Sequence, residues 1–443
     1  MHIMRMTNPR KNYAWGSRVA LQRLLGEQPD GTPLAEIWMG AHPSAPSRLE
    51  NGTTLAELPD SERQYITFIL KLLSAEKGLS IQAHPSKEQA ERGFAAESGM
   101  AVDAPNRVFR DRNHKPELIV ALEPFWAMSG FRPLYEARDA LVGVGIPEAA
   151  EVSTLQGLLD AVLALDSDRT DEILRAPFFR EAPAPRDRLT GHVGDEDRLA
   201  WVAELYRQFG GDSGVLAPMF LNLVYLSPGT GLYQPSGVLH AYLRGTGVEV
   251  MAESDNVLRA GLTEKHVDVN GLRNVVSFVA EPPAVREPVV ANPANEPLRA
   301  DDGGRHALEV YETPAEEFRL YRLRVEAGSV RVHSAGLPAI AVCVGGSVSV
   351  REGEPGAAGG VGRDEALIGD GAEGQEEKRY TGSGSPGCEL GPGTSAYIPS
   401  LPDGFVVSGG GELFIATCSS LAPEAGATAA NAGQKKGERR IGP

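Results

Sequence analysis

Short apolar runs broken by turn-forming residues fill the first third of the chain. Residues 66–73, 79–83 and 118–122 are such runs, separated by Gly, Pro, Asn and Asp, and they predict strands joined by charged loops. One helical stretch, 86–94, follows a proline. From about 134 to 209 the period changes. Apolar residues recur at helical spacing (Leu155, Leu158, Leu159, Val162 and Leu163, then Leu199, Val202, Leu205, Tyr206 and Phe209), so helices are expected there. Strand texture returns at 215–226 and runs to about 279. Residues 281–297 then carry five prolines in a loose, charged connection, the expected domain boundary. A third region, 307–418, is again short strands, interrupted by a glycine-rich stretch at 351–387 expected to be a long mobile loop. The tail after residue 422, rich in Ala, Gly and charge, is expected to be disordered.

An internal repeat links the two strand-rich regions. LSPGTGLYQPSG at 226–237 and LGPGTSAYIPSL at 390–401 match in Leu, Pro-Gly-Thr, Tyr and Pro-Ser at a constant offset of 164. Two β-domains of related design follow from this. A Pro-Gly turn leading into a strand that ends in Tyr-x-Pro is the hairpin edge of a double-stranded β-helix, or cupin, barrel. The expected fold is therefore mainly β, with two cupin (jelly-roll) barrels and a helical domain inserted in the first.

Length and charge narrow the function classes. At 443 residues the chain has room for two or three domains. Its net charge of −16 repels a phosphate backbone, which argues against nucleic acid as a partner and requires that any anionic substrate meet a local basic pocket. Cys343, Cys388 and Cys418 form no CxxC pair, so neither a disulfide framework nor a cysteine zinc site is expected, and a reducing, cytoplasmic setting fits. No window approaches a membrane span or a signal peptide, so no membrane association is expected.

Chemistry concentrates in a few polar positions inside apolar surroundings. In Ser80-Ile81-Gln82-Ala83-His84-Pro85, period two puts Ser80, Gln82 and His84 on one face. An exposed strand edge would explain these residues alone. Asn113-His114-Lys115-Pro116-Glu117 opens the run 118–122, with a solvated ion pair as its bland explanation, and His240 lies five residues after Pro235 of the repeat. Together, Gln82, His84, Glu117 and His240 offer two imidazoles, a carboxylate and an amide with no thiolate. That donor set suits a catalytic Zn²⁺ or similar first-row metal acting as a Lewis acid on a carbonyl or hydroxyl. Farther on, Glu249, Asp255 and Arg259 lie among small and apolar residues, where unpaired charge is costly; an internal ion-pair network is the alternative. These residues leave open a different metal-dependent cupin enzyme, such as an iron oxygenase, and a sugar-phosphate-binding cupin without turnover.

The segments Tyr13-Ala14-Trp15-Gly16-Ser17, Ala35-Glu36-Ile37-Trp38-Met39-Gly40, 79–85, 113–117 and 240–269, which includes SDNVLRAGLT, resemble in order the motifs of type I mannose-6-phosphate isomerase (phosphomannose isomerase), strongly over residues 1–280. The resemblance implies an aldose-ketose isomerase interconverting D-mannose 6-phosphate and D-fructose 6-phosphate through a cis-enediol, in carbohydrate metabolism and GDP-mannose biosynthesis. It implies one Zn²⁺ per chain on Gln82, His84, Glu117 and His240. Arg259, Lys115, Glu249, Asp255 and His114 are the implied catalytic residues, and Trp15, Lys71, Ser80, Arg132 and Tyr242 the substrate-binding ones, with Lys71, Ser80 and Arg132 meeting the phosphate. Which residue is the base is left open among Glu249, Lys115, His114 and Asp255. The expected division is a discontinuous catalytic barrel of 1–133 and 214–285, a helical insertion of 134–213, a metal-free C-terminal cupin-like barrel of 300–420 and a disordered tail of 423–443. The expected partner is a small sugar phosphate, handled by a cytoplasmic monomer.

Overall fold

The computed structural model describes the chain except residues 102–103, 105, 188–191, 266, 302–305, 354–386 and 420–443. The glycine-rich stretch expected at 351–387 lies mostly outside the described residues, and the tail expected at 423–443 lies wholly outside them. Among the described residues the chain is mainly β, with two antiparallel sheet systems of eleven strands each, curled as cupin barrels.

In the first barrel the strand His240–Ala252 is the hub. Its first half pairs with Ile81–Ala83 and Phe125–Phe131, its second half with Phe68–Ala75 and Glu117–Ala121. The change of partners occurs at a register shift between Tyr242 and Arg244, followed by Gly245 at φ 140°. A Cβ on Gly245 would stand 2.8 Å from the Phe125 Cα, so glycine is required where the sheet folds over.

Period two sorts the side chains of this barrel. Phe68, Leu70, Leu72, Leu118, Val120, Val248 and Val250 join one core with Ile340, Val342, Tyr397 and Phe414 of the second barrel. The alternate positions Leu73, Ala75, Ile119 and Ala121 join an interior cluster with Phe125 and Tyr242. Phe68–Ala75 is therefore buried along both faces, and it still carries Lys71. The charged and polar groups of the site enter on the interior face.

Between Phe125–Phe131 and Leu221–Leu226 the chain runs through helices, among them Leu134–Gly143, Leu155–Leu163, Ser167–Leu174 and Asp195–Phe209. Leu155, Leu158, Leu159 and Val162 are buried together, as their spacing predicts. The strand expected from residue 215 starts later. Ser213–Leu216 is a 3-10 turn and Ala217–Phe220 a short helix. Asp212 accepts the Gly214 N–H, and Pro218 sits in the first turn of the helix, where its missing N–H breaks no bond. The apolar run there reflects complete burial, which periodicity cannot tell from a strand.

The second barrel is built on the pairing of Ala339–Glu352 with Phe405–Thr417. The repeat is visible in its turns. Gly229 and Gly393 have φ of 92° and 76°, and the N–H groups of Thr230 and Thr394 each donate to a carbonyl three residues back at 3.0 Å. Each turn leads into a short strand, Gly231–Gln234 or Ser395–Ile398. One strand crosses the expected division: Met4–Thr7 pairs with Ser395–Ile398, Met4 opposite Tyr397, so the start of the chain extends the second barrel's sheet. Among the described residues, no helix is long and apolar enough to cross a membrane.

Tyr397 also ties the barrels together, because its buried hydroxyl donates to Glu62 at 2.6 Å while the Ser400 N–H donates to the same carboxylate at 3.1 Å. Tyr397→Phe should cost about 1.5 kcal/mol, the worth of a hydrogen bond to a charged group. It should appear as a lower urea midpoint with unchanged slope; an unchanged midpoint would remove this bond from the account of the interface.

Candidate active site and metal centre

His84, Glu117 and His240 arrive on three elements and converge in the first barrel's interior. Gln82 lies opposite His240 in the register, and His84 follows Gln82 by two residues, which places all three side chains on the same face. Glu117 opens its strand opposite Gln234 and Met251, with Pro116 just before it, where a missing N–H breaks no ladder. His84, Glu117 and His240 are buried, with their ligand atoms all within 4.8 Å of one another.

The hydrogen bonds fix both imidazoles. His84 Nδ1 lies 2.7 Å from the Asn256 carbonyl and His240 Nδ1 lies 2.9 Å from the Val238 carbonyl. A carbonyl only accepts, so each Nδ1 carries the proton and each Nε2 presents a lone pair. Those Nε2 atoms stand 3.3 Å from Glu117 Oε1 and Oε2. Neither approach has hydrogen-bond geometry, and His84 Nε2, His240 Nε2 and Glu117 Oε2 are buried with no partner. Lone pairs facing a carboxylate in a dry interior repel one another unless a cation lies between them. The donor set and its carbonyl-anchored histidines therefore fit a divalent metal such as zinc. Burial holds the His84 pKa down to about 4, which keeps it a neutral ligand. Burial alone would raise Glu117, but Lys115 at 3.0 Å and His84 outweigh it and hold the carboxyl well below its usual range.

A second buried array lies farther along the same strand. Trp38, Lys71 and Glu249 are direct cross-strand neighbours. Lys71 Nζ donates to Glu249 at 2.9 Å and to Glu36 at 3.4 Å, and the Trp38 indole N–H donates to Glu36 at 2.8 Å. Burial would lower Lys71, yet Glu249 and Glu36 raise it, while burial raises Glu249 against the pull of Lys71. The Tyr242 hydroxyl is buried without a partner; burial first and the Glu249 charge second push its pKa well up. Trp15 lies tilted against Tyr13, ring centroids 5.7 Å apart, and packs with Leu79 against the cluster that holds Tyr242.

The expected phosphate set is not assembled as a unit. Lys71 is matched by two carboxylates, so no positive charge is left over for an anion. Arg132 lies beyond the opposite end of the hub strand. Ser129, opposite His240, precedes it by three residues, whereas Lys71 is opposite Glu249. Its guanidinium donates to the Met219 carbonyl at 2.8 Å and to Glu136 at 3.2 Å, and it lines a cavity of about 540 Å³ among the helices. Ser80 precedes Ile81–Ala83 on the Gln82 face.

Cationic surplus occurs at Arg259 instead. Arg259 is opposite Gln82, which is opposite His240, so a row across three strands carries all three residues, spanning roughly 10 Å from Arg259 to His240. Burial and then Arg110 lower the Arg259 pKa, while Arg259, burial and Arg110 in turn lower Lys265. Three cations press on one another, and among the described residues none of them is in an ion pair. Asp255 is held by His42 at 3.2 Å, which lowers its pKa, and its N–H donates to Asp111 at 2.7 Å. His114 Nε2 is hydrogen-bonded to Glu317 of the second barrel.

Glu36, Arg110, Asn256, Lys265 and Glu317 are the residues that sequence reasoning did not single out. Asn256 is a keystone: its amide donates to the Asp111 and Asn113 carbonyls and accepts from the Arg110 N–H, while its own carbonyl holds His84. Glu36 had a signal, since it alternates with Trp38 in a buried apolar strand.

A family model described as phosphomannose isomerase type I, catalytic domain, matches residues 3–134. Mannose-6-phosphate isomerase from Salmonella typhimurium is 34% identical over 416 residues, covering 85% of this chain and 99% of that protein. The Bos taurus mannose-6-phosphate isomerase is 31% identical over 361 residues, 72% of this chain and 81% of that one. A solved mannose 6-phosphate isomerase bound with zinc and yttrium superposes with a TM-score of 0.73 at 29% identity, covering 94% of this chain and 100% of that one. Similarity of this extent runs through both barrels as well as the His-Glu-His centre, and the chain belongs to the type I mannose-6-phosphate isomerase family.

Proposed function

We propose that the chain is a zinc-dependent aldose-ketose isomerase that interconverts D-mannose 6-phosphate and D-fructose 6-phosphate through a cis-enediol. The observation that carries this reading is one row of residues with orphaned metal ligands at one end and, at the other, an arginine that has no ion pair among the described residues. That row can address a sugar carbonyl and a phosphate at once. His84, Glu117 and His240 would hold one zinc, with the Gln82 amide as fourth ligand. When bound, the metal polarises sugar oxygens and offsets negative charge.

Phosphate recognition falls to Arg259, Arg110 and Lys265, with Ser80 on the same face as Gln82. Placing a dianion there relieves the mutual repulsion of the cations. Trp15 and Tyr242 form the apolar wall against which the sugar is oriented. Isomerisation requires one proton to pass from C2 of the open-chain aldose to C1 and a second to pass from the C2 hydroxyl to the C1 oxygen. Of the candidate bases, Lys115 is an ammonium on Glu117, Glu249 is held by Lys71, and Asp255 by His42. His114 is left with a free ring nitrogen, because only its Nε2 is engaged. His114 takes the proton and returns it, while Lys115 donates to the developing enediolate. The enzyme so described is a monomer of the cytoplasm, working in the supply of mannose phosphates to GDP-mannose synthesis.

A coupled assay for fructose 6-phosphate from mannose 6-phosphate tests this. Activity should disappear on dialysis against a chelator and return with about one equivalent of zinc. Full turnover in chelator with no bound metal would sink the metal-dependent reading.

A further inference from the structure

The second barrel, expected to carry no metal, brings one carboxylate to a candidate site residue of the first. Glu317 lies between the strands Leu308–Tyr311 and Arg319–Val325 of that barrel. Its backbone is fixed on every side. Phe318 is fully buried in the core shared by both barrels, the Glu317 carbonyl accepts the Thr67 hydroxyl at 2.6 Å, and Arg319 ties the loop to the Thr313 and Ala315 carbonyls at 2.9 and 3.0 Å. The side chain is committed too. Glu317 Oε1 is hydrogen-bonded to His114 Nε2, and Oε2 is buried with no other donor. On the other side, the loop carrying His114 is clamped through Asn113, which binds Lys87 at 2.6 Å and the Glu253 carbonyl at 3.2 Å, and through Lys115 on Glu117. Glu317 is the one partner of the imidazole itself among the described residues.

We propose that Glu317 is a positioning residue for the isomerisation: as an acceptor it holds His114 as the Nε2–H tautomer, so that Nδ1 is the lone pair presented to the substrate. This rests on the reading of His114 as the proton-transferring group. An ionised carboxylate has no proton to give, so the hydrogen in this bond belongs to the imidazole, which fixes the other nitrogen as the base. The His114 bond keeps Glu317 ionised, lowering its pKa even though burial alone would raise it. The same carboxylate would stabilise the imidazolium while the proton is in transit, as an orienting acid does in hydrolase triads. The active site is then complete only when both barrels are docked.

The test compares Glu317→Gln, Glu317→Ala, His114→Ala and the His114→Ala/Glu317→Gln double variant as zinc-loaded full chains. Each Glu317 variant should lose about 10²-fold in kcat, with KM for mannose 6-phosphate within about twofold and zinc content unchanged. The double variant should be no slower than His114→Ala alone, because the carboxylate acts through the imidazole. Nitrogen NMR of histidine-labelled protein should show the Nε2–H tautomer of His114 in the parent and a mixture in Glu317→Gln, a signature independent of turnover. Parent kcat in both Glu317 variants, or an unchanged tautomer, would overturn the inference. A fully active His114→Ala would overturn it together with the assignment of His114, whereas an inactive His114→Ala beside active Glu317 variants would overturn the inference alone.

Discussion

His240→Ala protein is expected to purify without zinc and to turn over at least ~10³-fold more slowly, while remaining folded. The backbone of His240 is paired on both sides, with Gln82 and with Ser129, and neither pairing uses the imidazole. What alanine removes is one of two aligned Nε2 lone pairs, plus the donor to the Val238 carbonyl. Loss of that bond costs about 1–3 kcal/mol, small against the packing of the surrounding barrel. His84→Ala should behave alike through its bond to Asn256. Metal analysis and circular dichroism on the same sample separate the two effects. Full zinc content in both variants would show that the ligand set is wrong, whatever the rate.

Arg259→Ala should lower kcat/KM for mannose 6-phosphate by about 10²–10³-fold, with Arg259→Lys recovering part of it. The guanidinium is half-buried beside the exposed Arg110 and Lys265, and these like charges repel one another until an anion is placed among them. Removing Arg259 relieves that repulsion. The variant should be at least as thermally stable as the parent while losing activity, a combination that a packing defect does not give. Lys265→Ala should mainly raise KM. Arg132→Ala, in contrast, should leave KM within about twofold, since both terminal nitrogens of its guanidinium are committed to Met219 and Glu136. If Arg132→Ala raises KM and Lys265→Ala does not, the phosphate belongs at the helical end and the cationic cluster has another role.

Local pattern carried the part of the site that local geometry determines. Gln82 and His84 share a face because they are two apart in a strand, and Glu249 stands out as a charge among small and apolar residues, whereas Lys71 enters through the family resemblance. What pairs with them was not legible. Lys71 reads as a free cation in sequence, and only the cross-strand register that brings Glu249 and Glu36 to it shows that its charge is already matched. Glu317 is 203 residues from His114, and nothing in its own neighbourhood marks it. The short helix at 217–220 reads as strand for a simpler reason: when every face is buried, the apolar pattern has no period. Met4–Thr7 carried too few residues to indicate which sheet it would join.

That first strand bears on the order of events during synthesis. Residues 4–7 leave the ribosome about 20–80 s before their partner at 395–398 at usual elongation rates. Until then the nascent chain has an unpaired hydrophobic edge, with Met4 and Met6 unburied, and the hub pair of the second barrel is still incomplete. The first barrel can close meanwhile, since its hub ends at residue 252. Closure of the second barrel's sheet is thus a late, long-range event that joins strands made nearly 400 residues apart, and the nascent chain is most exposed to edge-to-edge aggregation before it.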